Sequence, residues 1–187
     1  MHLKYNSQIH HRRSIRLSGY DYSQPGYYFI TICTKNRENL FGEIKRNKMV
    51  LSAFGHLVKR HWQQIPRVRR NVALDAFIIM PNHIHGIIVI KQYHVGAIHE
   101  LPRQRELPLY QRAKRRQMLL FKIIGQFKMN SVKQINLYRN SPKTSVWQRN
   151  YYEHIIRNER ALNRIREYIR NNPTNWQNDR NHIKSTV

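Results

Sequence analysis

Apolar residues recur along this chain with two different spacings, and the spacing changes at recognisable turn signals. Tyr27-Tyr28-Phe29-Ile30-Thr31-Ile32-Cys33-Thr34 is a run of aromatic and β-branched residues directly after Pro25-Gly26, which predicts a first strand entered from a turn. Val72 to Met80 and His83 to Ile90 are two Ile- and Val-rich runs separated only by Pro81-Asn82. They predict two strands joined by a tight hairpin or a bulged passage. Leu40 to Ile44 suggests a short strand, and Ser145 to Gln148 an extended segment.

The other spacing is helical. Ser52 stands where an N-cap would, ahead of Phe54, Leu57, Val58 and Trp62 on one face, with Pro66 expected to end that helix. Leu119, Leu120, Ile123, Ile124, Phe127 and Val132 form the apolar stripe of a long helix from about Gln111 to Tyr138. Gly125 inside it costs roughly 1 kcal/mol relative to alanine and suggests either close packing or a bend. A last helix from about Asn158 to Asn171 turns Leu162, Ile165 and Ile169 inward. Pro173 disfavours helical geometry at the residue before it and so sets Asn172 at the helix end.

This order of strand, helix, two strands, helix and a further helix predicts an α+β fold: a ferredoxin-like or RRM-like antiparallel sheet with helices packed on one face. Residues 1–19 lack periodicity and read as a flexible basic arm, 20–176 as one domain, and 177–187 as a loose C-terminal tail. His94 to Pro108, with Gly96 and Pro102 among charges, reads as an exposed loop.

Charge sharpens the picture of a partner. The 34 Lys and Arg exceed the 10 Asp and Glu by 24 in 187 residues. The excess runs from Arg12 to Arg180, with aromatic residues such as Tyr20, Tyr22, Trp147 and Tyr151 among the cations. Cations interleaved with aromatics favour nucleic acid over a membrane surface, since bases stack where phosphates pair. The N-terminal Arg12, Arg13 and Arg16 and the cluster Arg112, Lys114, Arg115 and Arg116 are the candidate DNA contacts. The single cysteine, Cys33, excludes an intramolecular disulfide and a cysteine-rich zinc module, and its apolar neighbourhood suggests a packed thiol. No stretch approaches the roughly 18 apolar residues of a membrane span. A cytoplasmic protein without membrane contact is expected.

Two short motifs carry chemistry. In Met80-Pro81-Asn82-His83-Ile84-His85, the histidines are two apart on a strand and face the same side, so both imidazoles can serve one divalent metal. Alone the signal is weak, because 11 histidines in 187 residues give about 0.6 such triplets by chance. In Tyr168-Ile169-Arg170-Asn171-Asn172-Pro173, Tyr168 and Asn172 are one helical turn apart and share a face. A phenol with a pKa near 10 needs help to act as a nucleophile at neutral pH. Two imidazoles and an amide oxygen would hold Mg²⁺ or Mn²⁺ with positions left for phosphate and water.

Five ordered segments, spanning residues from about 12 to 176, carry a resemblance. They are Arg13-Ser14-Ile15-Arg16-Leu17-Ser18-Gly19-Tyr20-Asp21-Tyr22, the strand from Tyr28 to Thr34, the run from Met80 to His85, the segment from Trp147 to Arg157, and the run from Tyr168 to Pro173. Together the chain resembles the REP-associated tyrosine transposases of the HUH single-tyrosine superfamily. The resemblance implies a divalent metal on His83, His85 and Asn172, and Tyr168 as a nucleophile that cleaves single-stranded DNA beside an imperfect, REP-like hairpin. It also implies a 5′-phosphotyrosine intermediate, strand transfer, and a monomer acting in cis, with related enzymes forming dimers. It does not fix the hairpin or guide sequence that is read. Two other readings stay open at this point: a hairpin-DNA-binding protein whose cutting is vestigial, and an RRM-like RNA-binding module.

Overall fold

A computed structural model of the chain describes residues 20–92 and 118–182. The expected basic arm with Arg12, Arg13 and Arg16, the loop from His94 to Pro108, and the cluster Arg112, Lys114, Arg115 and Arg116 lie outside these residues. The elements in chain order are strands β1 (Gly26–Cys33), β2 (Gly42–Lys45) and β3 (Lys48–Leu51), helices α1 (Ala53–Gln63) and α2 (Ile65–Val68), and strands β4 (Val72–Met80) and β5 (His83–Ile90). Helix α3 (Leu119–Tyr138), strand β6 (Tyr152–Ile156) and helix α4 (Glu159–Asn171) follow.

Four strands form one antiparallel sheet in the order β4-β5-β1-β6, and β2 and β3 form a separate hairpin. The succession β1-α1-β4-β5-α3-β6 is the split β-α-β unit of ferredoxin-like folds. Inner position in the sheet explains the composition of β1, which is paired along both edges and packed on both faces.

Alternation along the strands sorts side chains into two cores. Tyr28, Ile30 and Ile32 of β1 and Ile84, Ile88 and Ile90 of β5 face α1 and α3, where Val58, Trp62, Leu120, Ile124 and Phe127 complete the larger core. Phe29 and Ile87 face the other way and pack with Ile156 and with Leu162 and Ile169 of α4. Packing on one face therefore describes α1 and α3, as in the ferredoxin-like arrangement, while α4 is an added helix on the opposite face. That added helix covers the sheet surface on which an RRM-like module would stack bases: Phe29, which faces it, is 8% exposed.

Local chemistry explains most element boundaries. The Ser52 side chain accepts the Gly55 N–H at 3.1 Å and caps α1. Pro66 does not itself stop that helix, which ends at Gln63. It occupies the first turn of α2, where its missing N–H costs nothing. Among the described residues α3 starts at Leu119, and Gly125 sits in it with open space around its missing Cβ, so close packing does not account for it, and the helix runs unbroken through it. Gly86 is different. A Cβ there would lie 2.5 Å from the Trp62 ring and 3.1 Å from Phe77 Cβ, so this position lets the buried indole lie flat on β5.

One irregularity interrupts β4. Leu74 pairs with Ile88 and Phe77 with Gly86, so Asp75 and Ala76 oppose Ile87 alone as a β-bulge. Val72 and Leu74 before the bulge and Phe77 and Ile79 after it all reach the larger core.

Candidate active site

The two histidines open β5 beside the Pro81-Asn82 turn and point to the face that α4 covers. Each ring is held by its Nδ1. The buried Asn82 donates through Nδ2 to the carbonyls of Arg37, at 3.1 Å, and Asn181, at 2.8 Å. Its Oδ1 is thereby left as an acceptor for His83 Nδ1 at 2.8 Å. This bond places the proton of neutral His83 on Nδ1 and its lone pair on Nε2. His85 Nδ1 lies 2.9 Å from the Thr31 hydroxyl, and Phe29 stacks on the ring at 5.4 Å. The two Nε2 atoms then meet at 2.9 Å, aimed at a common point. Anchored outer nitrogens with converging inner ones are the arrangement of imidazoles that share a metal.

Helix α4 brings the phenol to that point. Asn158 caps its start by accepting the Ala161 N–H at 2.8 Å. Arg166 makes a two-pronged bond to the bulge residue Asp75, at 2.9 and 2.7 Å, which ties the helix to β4. Two residues on, Tyr168 lies edge-on to Phe29 and His85, with its hydroxyl 3.1 Å from His85 Nε2. Asn172 is buried at the C-cap and keeps right-handed helical angles, because the chain continues into a turn through Pro173.

A charged group joins them from a segment expected to be loose. Trp176 is buried and packs beside His83 and His182. The turn it anchors carries Asp179, whose side chain is 2% exposed, to within 3.8 Å of His85 Nε2. Its Oδ1 accepts the Asn181 N–H at 2.6 Å, while Oδ2 accepts from Asn172 Nδ2 at 3.1 Å and from the Tyr168 hydroxyl at 3.4 Å. The tail assigned to 177–187 is therefore packed structure as far as residue 182.

Burial sets the protonation states. It lowers the pKa of both histidines, that of His83 well below its ordinary value with the neighbouring His85 adding to the shift, so both remain neutral. Burial alone would raise the Asp179 carboxyl. His85 and the donors Asn181 N–H and Asn172 Nδ2 outweigh that effect and hold the carboxyl well below the usual carboxylate range. Tyr168 is pushed up to about 12, first by burial and then by the Asp179 charge. Without a cation the phenol is thus poorly ionised, and a positive charge at the convergence point would reverse that bias.

The residues fit such a cation. The donor atoms of His83, His85 and Asp179 lie within 4.8 Å of one another, and Asn172 Oδ1 is buried with no hydrogen-bond partner. Mixed nitrogen and oxygen donors including one carboxylate suit a divalent ion.

The lowered histidine pKa values also predict acid lability of the metal-free protein. Folded histidines refuse protons that an unfolded chain accepts below about 6.5, so stability falls as pH drops through that value toward the folded pKa. Urea midpoints in chelator at pH 8 and pH 5.5 should fall toward acid, with a shallower fall in His83→Gln.

Of the sequence candidates, the structure brings Tyr168, His83, His85 and Asn172 together. Sequence reasoning missed Asp179, Asn82 and Thr31. Trp176, a lone indole in a polar stretch, was the available sign that the chain after Pro173 packs. Cys33 is half-buried on the histidine face, not packed in the larger core, and its Sγ lies 3.6 Å from Asn181 Oδ1. Beside Tyr168 opens a cleft of about 1040 Å³, lined among others by Arg37, Gln148, Asn150, Tyr152 and Arg180. No helix among the described residues is long and apolar enough to cross a membrane.

Comparison with known proteins places this site in context. No protein-family model matches the chain. A Haemophilus influenzae protein, described only as uncharacterized, is 45% identical over 188 residues, covering 98% of this chain and 99% of its own length. Among solved structures, a REP-associated tyrosine transposase bound to a REP hairpin superposes with a TM-score of 0.51 at 17% identity, covering 86% of this chain and 73% of that one.

Proposed function

Since the chain belongs to one family with that Haemophilus influenzae protein and has the fold of the REP-associated tyrosine transposase, we propose that it cleaves and rejoins single-stranded DNA beside repeat hairpins, with Tyr168 as the nucleophile. The observation that carries this reading is the Tyr168 hydroxyl 3.1 Å from His85 Nε2, delivered by a separate helix onto the face that holds both imidazoles.

In the reaction, Tyr168 Oη attacks the scissile phosphorus and the bond from phosphorus to the 3′ oxygen breaks. The 5′ phosphate stays on the tyrosine, and the 3′ oxygen takes up a proton and departs. Attack by a second 3′ hydroxyl on the phosphotyrosine reverses the step and joins a new end. Asp179 Oδ2, 3.4 Å from the hydroxyl, accepts its hydrogen bond and orients it, and the open cleft gives the phenolic proton an exit to water. A divalent ion such as Mg²⁺ or Mn²⁺ on His83, His85 and Asp179, with Asn172 Oδ1 beside them, would act as a Lewis acid on the scissile phosphate. Phe29 and the Asp75–Arg166 pair keep the phenol in line. Action in cis as a monomer fits a tyrosine helix lying over the histidines of its own chain.

The test is incubation of the protein with end-labelled single-stranded hairpin oligonucleotides and Mg²⁺ or Mn²⁺, followed by a denaturing gel. A covalent protein–DNA band that chelator abolishes is expected. Mixing Tyr168→Phe with His85→Ala should not restore it if the helix acts in cis. DNA that is shifted but uncut under every metal would instead assign hairpin binding without chemistry.

A further inference from the structure

A second concavity lies next to the cleft of Tyr168 and has no part in the chemistry above. It is a groove of about 470 Å³ between α3 and the segment leading into β6, and its charged rim is Lys133, Lys143 and Arg149. All three are exposed. Gln148 lines both this groove and the cleft, so the two adjoin at the segment 148–150.

That shared lip is built, not incidental. Lys128 reaches from α3 and donates to the carbonyls of Gln148, at 2.8 Å, and Asn150, at 3.1 Å, holding the segment at a fixed height. On the far rim, Lys143 adopts a left-handed backbone, φ +62°, which a residue with a Cβ adopts only at some cost. The turn that imposes it is clamped by Asn136 Nδ2 and Arg139, both donating to the carbonyl of Thr144 at 3.0 and 3.3 Å. A strained backbone kept in place by two side chains, presenting a cation to a groove, is the kind of outlier that points to a use.

We infer that this groove is the track for the unpaired strand flanking the hairpin, with Lys133, Lys143 and Arg149 pairing its phosphates as it runs over the 148–150 lip to Tyr168. The inference rests on the reading of the protein as acting on single-stranded DNA. Its walls are one helix and one loop, and its exposed cations lie where they could pair the phosphates of a passing strand. Bases turned inward would meet the apolar parts of Met129 and Val132.

The test compares two triple variants by fluorescence anisotropy, using a hairpin oligonucleotide with and without an unpaired flank. Lys133→Glu, Lys143→Glu and Arg149→Glu remove the groove cations. Lys45→Glu, Arg46→Glu and Lys48→Glu change the same charge on the β2–β3 hairpin and control for net charge. Three lost phosphate contacts should lower the slope of log affinity against log salt by about 2 for the flanked oligonucleotide and weaken its binding by about tenfold or more at 0.15 M salt. The control triple and the bare hairpin should change far less. Equal losses in both triples, or loss on the bare hairpin alone, would overturn the inference. Its failure is distinguishable from that of the proposed chemistry: a covalent adduct with unimpaired flank binding sinks the track alone, and a flank-specific loss without any adduct sinks the chemistry alone.

Discussion

Tyr168→Phe is expected to abolish the covalent protein–DNA band, a fall of at least about 10³-fold in cleavage rate, since no other group on α4 offers a nucleophilic oxygen at the histidine pair. The same variant should bind hairpin DNA nearly as well as the wild type. Its phenyl ring keeps the edge contacts with Phe29 and His85, and the side chain is already 43% exposed, so loss of one hydroxyl should cost the fold only about 1 kcal/mol. Rate and binding measured on the same oligonucleotide separate the two effects. Cleavage that survives in Tyr168→Phe would move the nucleophile elsewhere and remove the basis of the proposed reaction.

Asp179→Asn should have the next largest effect, and its first readout is ion binding. The carboxamide fills the same space and can still accept the Asn181 N–H. It removes the negative charge that faces His83 and His85 and replaces a hard anionic oxygen with a neutral group. Titration of Mn²⁺ into the DNA-free protein should show affinity weakened by roughly 10- to 100-fold, with cleavage lost in parallel at low metal and partly regained at high metal. His83→Ala should weaken it further. Unchanged affinity in Asp179→Asn would put the carboxylate out of the ion's reach and leave Asn172 as the third donor, the set implied by the family resemblance. Either result reads directly on which of two adjacent side chains the ion uses.

The sequence was most legible where periodicity and chemistry coincide. A run of aromatic and β-branched residues is enough to mark β1 as a strand, and Ser52 announces the start of α1 by its capping oxygen. The pair of histidines and the tyrosine one turn before Asn172 could be found by spacing alone, because strand and helix geometry fix which side chains share a face. Long-range partners were not legible. Asp179 is an ordinary acidic residue in a polar stretch until Trp176 is seen to be buried beside His83. Strand β6 was hidden because Tyr152-Glu153-His154 reads as polar, and only its pairing with β1 makes it extended. Asn82 looked like a turn residue, yet its amide ties the turn to Arg37 and Asn181 and orients His83 as well. Such residues take their role from what the fold brings to them.

The bulge at Asp75 and Ala76 bears on how this site can drift over evolutionary time. Between the bulge and the Pro81-Asn82 turn the pairing of β4 with β5 is regular, with Met80 opposite His83 and Ile78 opposite His85. A residue gained or lost beyond the bulge, toward Val72, can be absorbed there by one more or one fewer unpaired position. The histidines are thereby insulated from changes in length at the distal end of their own hairpin. The same insertion between the bulge and the turn would swap the faces of the strand residues it displaced and disturb the pairing that seats both imidazoles. Descendants of this chain are free to vary on one side of Asp75 and constrained on the other.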